Sequence, residues 1–208
     1  MSSKFVVRVN NVSKVYDLGK QKVQALIDAS LDILNGEFLA IAGPSGSGKS
    51  TLLNLIGCID KPTSGTISID DQPVSDKTPD QLADLRACKI GFIFQTYNLL
   101  PVYTVYENVE FPLLLLKMPA REREKAVHEA IEWVGLTDKI KSKPAQLSGG
   151  ESQRVAIARA MVKKPELVLA DEPTANLDSE NSHHILRTME TLNSELNTTF
   201  IFATHDEK

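Results

Sequence analysis

The chain has 208 residues, of which 42% are hydrophobic, so it can bury one substantial core. Its net charge of −4 gives no reason to expect a nucleic-acid partner. The two cysteines, Cys58 and Cys88, lack Cys-x-x-Cys spacing, which argues against a zinc site or a disulfide framework and indicates cytosolic thiols. No apolar run approaches the roughly 18 residues needed to cross a bilayer, and no apolar export segment opens the chain, so we expect a soluble intracellular protein.

Two stretches near the start alternate between apolar and polar residues, as half-buried strands do. They run over Phe5 to Val9 and over Ala29 to Ile33. Asn35-Gly36 then has the composition of a hairpin turn into the apolar run Phe38 to Ala42. The sequence therefore predicts an antiparallel β layer ahead of the glycine-rich segment that follows.

That segment matches Gly-x-x-x-x-Gly-Lys-[Ser/Thr] and leads into a helix predicted over Lys49 to Ile56. A buried strand that turns through glycines into a helix aims backbone N–H groups at one point, where a polyphosphate fits. Lys49 would reach the outer phosphates, and the Ser50 hydroxyl suits Mg²⁺. The alternative is a glycine-rich turn that happens to precede a lysine. The predicted nucleotide-binding residues are Gly43, Pro44, Ser45, Gly46, Ser47, Gly48, Lys49, Ser50 and Thr51.

The rest of the chain changes character twice. Ile67 to Ile69 and Ile90 to Phe94 have strand patterns, whereas apolar residues between about Thr96 and Lys164 recur at helical spacing, which predicts a helical insert. Strand patterns return at Leu167 to Ala170 and at Phe200 to Ala203, separated by a predicted helix. This order implies a parallel sheet, with a ligand crevice at the carboxyl ends of its strands.

Two further groups suit phosphate chemistry. Asp171 and Glu172 directly follow a strand, so the first carboxylate could hold Mg²⁺ and the second could polarise an attacking water. The segment Leu147 to Glu151 places Ser148 and two glycines at a helix start, which offers a second anion-binding surface. The alternatives are helix-capping carboxylates and an ordinary serine cap.

Taken together, these motifs resemble the nucleotide-binding subunits of ATP-binding cassette (ABC) transporters over almost the whole chain. The segment Leu147 to Glu151 is the most family-specific part. The resemblance implies an α/β fold of the P-loop NTPase type, with a mainly parallel core sheet, an N-terminal antiparallel β layer and an inserted helical subdomain. It also implies one ABC ATPase domain over residues 1–208, in which residues 1–95 and 165–208 form the nucleotide-binding core and residues 96–164 the helical subdomain.

The same resemblance implies a cofactor pair of ATP and Mg²⁺ and a role for each motif residue. Tyr16 would stack on adenine, Gln95 would lie between Mg²⁺ and a membrane permease, and His205 would contact the γ-phosphate. The implied catalytic residues are Lys49, Gln95, Glu172 and His205, and the implied metal-binding residues are Ser50, Gln95 and Asp171. Each lone residue has an alternative: a packing tyrosine, a solvated amide and an exposed terminal histidine.

Family members work as head-to-tail homodimers, so ATP held by one copy would be closed over by the other. The closing residues are Ser148, Gly149, Gly150 and Glu151, with Asp178 at the seam. The implied function is an ATPase at the cytoplasmic face of the plasma membrane that drives a separate integral-membrane permease. A soluble ABC ATPase acting on DNA or ribosomes and a nucleotide sensor without turnover are the alternatives.

A finer resemblance lies in the strings Phe94 to Pro101, Glu107 to Leu114 and Leu169 to Asp178. They resemble the branch of lipoprotein-release and macrolide or peptide exporter ATPases, and they are shared with division-associated and some amino-acid importer ATPases. Leu99 to Leu116 includes either the surface that receives the permease or leucines of the core. The chain ends at Lys208, earlier than family members usually do, so we expect a C-terminal part to be missing.

Overall fold

The computed structural model describes residues 4–17, 19 and 21–205, which form eight strands, six α-helices and two short 3₁₀ turns. The strands are β1 Phe5–Asp17, β2 Lys22–Leu34, β3 Phe38–Ala42, β4 Ser64–Ile69, β5 Gln72–Pro73, β6 Ile90–Ile93, β7 Leu167–Asp171 and β8 Thr199–Thr204. The helices are α1 Lys49–Ile56, α2 Pro79–Lys89, α3 Val105–Leu115, α4 Ala120–Trp133, α5 Gly149–Met161 and α6 Ser179–Leu196, and the 3₁₀ turns are Thr137–Lys139 and Pro144–Gln146.

The first sheet is antiparallel, with strand order β2-β1-β4-β5. Val7 pairs with Ile33 on one side and Ile69 on the other, and all three side chains are buried. The predicted antiparallel layer is thus present, and β4 and β5 complete it from beyond the glycine-rich loop. Because Val7 and Val9 of β1 pair directly with Ile69 and Ile67 of β4, these apolar side chains point to the same side of the sheet.

The turn at Asn35-Gly36 is present, but the predicted hairpin is wrong because β2 and β3 lie in different sheets. Gly36 donates its N–H to Thr199 Oγ1 at 2.9 Å, and Asn193 Nδ2 donates to the Gly36 carbonyl at 2.9 Å. These contacts direct the chain into the second sheet, where β3 finds a parallel partner in β8. Turn composition alone carries no information about the sheet that the next strand joins.

The second sheet is parallel, with strand order β3-β8-β7-β6. Strand β7 is buried on both faces: Leu167 and Leu169 contact the core that also holds α1 and the antiparallel sheet, while Val168 and Ala170 face the core formed with α5 and α6. Strands covered on both sides are typical of parallel sheets. The predicted α/β fold class is confirmed, and the carboxyl ends of four strands meet along one edge.

The segment after β6 is helical, as predicted, and α3, α4 and α5 bury their apolar faces in the second core. Assigning residues 96–164 to a separate subdomain remains a prediction. Helix α2 was missed by hydrophobic periodicity, although Thr78 and Gln81 form a capping box at its start, which is a sequence signal. In the part of the chain that the structure describes, no helix is both long and apolar enough to span a membrane.

Candidate nucleotide-binding site

The glycine-rich loop connects β3 to α1 at the carboxyl edge of the parallel sheet. Gly48 precedes the helix with φ of +93°, and a Cβ atom there would lie 2.5 Å from the Ala25 carbonyl oxygen of β2. Only glycine avoids both the backbone strain and this collision. The start of α1, with its unpaired N–H groups, is therefore held open toward solvent beside the antiparallel sheet.

Lys49 lies under this loop, with only 7% of the residue exposed. Its Nζ donates to the carbonyl oxygens of Gly43 at 2.6 Å and Pro44 at 3.0 Å. A buried ammonium needs such oxygen partners because burial without them is costly. Both carbonyls belong to the loop itself, so the cation is positioned where phosphate oxygens could replace them.

Ser50 and Asp171 come from different elements and meet at the same edge. Ser50 Oγ, at the start of α1, donates to Asp171 Oδ1, at the end of β7, across 2.9 Å. A hydroxyl beside a carboxylate is a set of hard oxygen donors, which fits Mg²⁺ bound by one or two protein groups and by phosphate oxygens. The predicted metal-binding pair is thus brought together; Gln95, the third predicted ligand, is exposed in the segment after β6.

Glu172 directly follows β7, and its Oε1 contacts Nε2 of His205, which follows β8. The Glu172 side chain is 13% exposed and that of His205 is 44% exposed. Glu172 has a positive φ of 50° and donates its N–H to the Ala203 carbonyl at 3.1 Å. The backbone is therefore fixed in a conformation that glutamate rarely adopts, which aims the carboxylate at the histidine.

Tyr16 lies near the end of β1. Its phenol donates to Asp60 Oδ2 at 3.0 Å, and the Lys14 ammonium lies 4.8 Å from the ring centroid. The ring is half-buried and is not part of the fully buried core. It can therefore offer a face to an aromatic ligand, and its role in base stacking remains a prediction.

The segment before α5 is a capped helix start. Ser148 Oγ accepts from the Glu151 N–H at 3.2 Å, and the Ser148 N–H donates to Glu151 Oε2 at 2.7 Å. The hydrogen bond from the Ser148 backbone is the main reason that the pKa of Glu151 lies below its usual value. The alternative of an ordinary serine cap is thus realised, but Ser148 and Gly149 remain exposed and the helix end still faces solvent.

Asp178 caps the start of α6 and lies against the same helix end. Its Oδ1 accepts from the Asn181 N–H at 2.8 Å and its Oδ2 from Asn181 Nδ2 at 2.7 Å, and the first of these bonds is the largest cause of its lowered pKa. Asn181 in turn approaches Gly150 so closely that a Cβ atom there would lie 2.5 Å from Asn181 Oδ1. A bare glycine is therefore required where the two helix starts meet.

Two residues that were not among the predicted site residues, Arg159 and Asn176, connect these parts through hydrogen bonds. Arg159 of α5 donates to the carbonyl oxygens of Tyr97 and Asn98, and Asn176 Nδ2 donates to the Gln95 carbonyl at 2.9 Å. Burial lowers the pKa of Arg159, whose charge is matched by these carbonyl dipoles. Such contacts join residues far apart in the chain, so no local sequence pattern predicts them.

Not all predicted site residues meet within one chain. Among the described residues, Ser148 and Glu151 make their side-chain hydrogen bonds and ion pairs with each other and with Lys139, and those of Lys49 and Ser50 go to the loop carbonyls and Asp171. One copy thus carries two separate surfaces suited to anions.

A glycine-rich loop before a helix, a buried lysine and paired carboxylates at the edge of a parallel sheet define a P-loop nucleoside triphosphatase. The family profile described as ABC transporter matches residues 26–175, and this chain belongs to that family. It is an ATP-binding subunit and an ATP hydrolase.

Relatives match nearly the whole chain. The ABC transporter ATP-binding protein YvrO of Bacillus subtilis is 49% identical over 201 residues, which cover 97% of this chain and 87% of that protein. A dimeric structure of the ATP-binding cassette MJ0796 of Methanocaldococcus jannaschii, in a post-hydrolysis state with ADP and Pi, has a TM-score of 0.88 at 46% identity and covers 96% of this chain and 88% of that one. The methionine import ATP-binding protein MetN 2 of Bacillus cereus is 44% identical over 201 residues, 97% of this chain and 59% of that protein.

Proposed function

We propose that two copies of this chain associate head to tail around two Mg²⁺·ATP and that their opening after hydrolysis drives a separate membrane permease. One observation carries the proposal: the phosphate-binding loop and the helix start at Ser148 to Glu151 are both formed, yet their hydrogen bonds do not join them within one chain. A second copy turned by half a revolution would bring each loop to the partner's helix start. The dimeric state of MJ0796 supports the association of two copies.

Within this arrangement the loop residues bind and orient the triphosphate. Lys49 and the N–H groups at the start of α1 hold the outer phosphates, and Ser148 with the glycines at the start of the partner's α5 covers them from the other side. Ser50 and Asp171, with Gln95 as the third predicted ligand, would hold Mg²⁺, which when bound neutralises charge on the phosphate oxygens. Asp178 lies at the seam because it caps α6 beside Gly150.

Glu172 accepts a proton from the attacking water as it approaches the γ-phosphate, and His205, whose Nε2 contacts the Glu172 carboxylate, keeps that carboxylate oriented beside the γ-phosphate. Their contact at the edge of the sheet supports this division of roles. Phosphoryl transfer depends mainly on positioning and charge stabilisation, so these two residues need only align the water within an otherwise preformed site.

The dimer proposal is tested with Glu172→Gln, which should trap the closed state because hydrolysis opens it. The molar mass is measured by size-exclusion chromatography with light scattering. Saturated with Mg²⁺ and ATP, this variant is expected to have twice the mass of the 22.9 kDa chain, whereas without nucleotide it stays monomeric. Adding Ser148→Arg, which places a long side chain at the seam, should keep ATP binding and abolish dimerisation. A strictly monomeric Glu172→Gln with ATP bound, even in the presence of its permease, would refute the proposal.

The permease is proposed to bind an apolar patch on and before α3, defined as Leu100, Val102, Phe111, Leu114 and Leu115. The exposed fractions of Val102 and Leu115 reach 70% and 64%. Leu113 of the same helix is fully buried, so the leucines of this region divide between core and surface. Clustered exposed apolar side chains are typical of protein interfaces, and this patch follows the segment that contains Gln95.

The role of the patch is tested by purifying this chain from membranes and measuring how much of its permease copurifies. Leu115→Asp is expected to reduce recovery of the permease by about tenfold, since it buries a charge in an apolar contact. The matched control is Ile27→Asp, because Ile27 is 67% exposed on the antiparallel sheet, away from α3. Equal loss of the permease with both variants would contradict the assigned surface.

For the cargo, we propose export or extraction from the membrane of lipoproteins, macrolides or peptides. The strings Phe94 to Pro101 and Leu169 to Asp178 support this branch. A second candidate, import of an amino acid, is favoured by the likeness to MetN 2. The copurified permease decides between them: association with a substrate-binding protein supports import, and its absence together with a periplasmic or extracellular domain on the permease supports export.

A further inference from the structure

Asp60 lies in the turn after α1 and receives three hydrogen bonds. Its Oδ1 accepts from Lys14 Nζ at 2.7 Å and from the Lys61 N–H at 2.7 Å, and its Oδ2 accepts from the Tyr16 phenol at 3.0 Å. Two of the three donors are side chains of β1, 44 and 46 positions away along the chain. The carboxylate therefore fastens the turn to the part of β1 that carries Tyr16.

Lys14 completes the arrangement from one face of the aromatic ring. Its ammonium lies 4.8 Å from the Tyr16 ring centroid and also donates to the Lys61 carbonyl at 2.8 Å. The Lys14 side chain is only 12% exposed, so packing and its hydrogen bonds restrict its conformation. A cation over one face of a tyrosine is attractive, so this contact holds the ring from that side.

The carboxylate that holds both side chains is charged at neutral pH. Partial burial alone would raise the pKa of Asp60, but the hydrogen bonds from Lys14, the Lys61 amide and Tyr16 outweigh burial and lower it. A charged acceptor makes a stronger and better-aligned hydrogen bond to the phenol than a neutral one. The ring of Tyr16 is consequently fixed at its oxygen as well as at its face.

The turn is also fixed to the helix that begins at the phosphate-binding loop. The N–H groups of Ile59 and Asp60 both donate to the carbonyl of Asn54, near the end of α1, at 2.9 and 3.2 Å. Helix α1 thus starts where the phosphates bind, and the turn that follows its last residue, Ile56, carries Asp60, which contacts Tyr16. A single rigid element connects the two ends of the nucleotide site.

We infer that Asp60, with Lys14, is a positioning residue for base recognition: it holds the Tyr16 ring in the orientation that receives adenine, relative to the loop that receives the phosphates. The inference rests on the proposed stacking role of Tyr16. Its physical basis is preorganisation, because a ring that is already immobilised loses less freedom when the base binds.

The test compares two ligands, Mg²⁺·ATP and Mg²⁺·tripolyphosphate, which lacks the base, by titration calorimetry. Asp60→Ala is expected to weaken ATP binding by roughly three- to tenfold, the range expected for releasing one immobilised side chain, and to leave tripolyphosphate binding unchanged. Tyr16→Phe, which removes only the phenol oxygen, should do the same. The double variant should weaken ATP binding little more than Asp60→Ala does, because both single changes remove the same hydrogen bond between the Tyr16 phenol and Asp60. Glu129→Ala, which breaks the surface pair with Lys164, is the matched control and should change neither constant.

Each outcome has a separate meaning. If Tyr16→Ala leaves the ratio of ATP to tripolyphosphate affinity unchanged, the stacking role of Tyr16 is itself wrong. If Tyr16→Ala lowers that ratio while Asp60→Ala and Tyr16→Phe do not, the stacking stands and the inference about Asp60 is overturned. Equal weakening of both ligands by Asp60→Ala would also overturn it, since that result indicates general damage to the loop. Should Asp60→Ala fail to fold, Tyr16→Phe alone decides.

Discussion

Glu172→Gln is expected to bind ATP as well as the unchanged protein does and to hydrolyse it about 10²-fold or more slowly, the loss that follows removal of a general base. Glutamine has the same length and can keep a hydrogen bond to His205, so the shape of the site is retained. It cannot take a proton from water at neutral pH. Binding depends on the loop and Lys49, which this change does not touch.

The measurement is steady-state phosphate release alongside an ATP-binding titration of the same preparation. The control is Glu190→Gln, because Glu190 is exposed on α6 and its replacement removes the same charge outside the site. Undiminished hydrolysis by Glu172→Gln would eliminate the assigned role. A parallel loss of binding and turnover would instead assign Glu172 to nucleotide binding.

Much of the fold follows from local pattern. The bounds of α1 agree with the prediction at both ends because a glycine sets each end, Gly48 before it and Gly57 after it. Strands β7 and β8 were found because they are short apolar runs that the parallel sheet covers on both faces. The pairing of β3 with β8 instead of β2 could not be read in the same way, since strand partners depend on packing between distant segments.

The same division applies to the site. The motif residues at the strand ends were predicted because the carboxyl ends of parallel strands must share an edge, and Ser50 and Asp171 do meet there. Their supporting residues were not predicted. Asp60, Arg159 and Asn176 act through long-range hydrogen bonds to a side chain or to backbone carbonyls, and because these partners are distant in the sequence, no local pattern predicts the contacts.

Such supporting contacts also fix the loop between β6 and α3, which contains Leu100 and Val102 of the apolar patch. Arg159 holds the Tyr97 and Asn98 carbonyls, and the fully buried Asn108 binds the Leu100 N–H at 2.8 Å and the Thr104 carbonyl at 2.9 Å. The loop between β6 and α3 is thus fastened at both ends to helices.

Lys49→Met is expected to weaken ATP binding by roughly 10- to 100-fold, because it removes a charge-assisted contact to the phosphates while preserving side-chain length. The ammonium is buried and bound to the Gly43 and Pro44 carbonyls, so the loop itself should also loosen without it. Calorimetric titration with Mg²⁺·ATP measures the first effect, and thermal unfolding without nucleotide measures the second.

The control for this change is Lys164→Met, since Lys164 is exposed and pairs with Glu129 on α4. The two variants lose the same charge, so any general electrostatic attraction of the nucleotide to the protein falls equally in both. Only the loss of a cation placed under the loop distinguishes them. If both variants bound ATP with equal affinity, Lys49 would only stabilise the loop through its bonds to the loop carbonyls. The phosphates would then have to be held by the backbone N–H groups at the start of α1.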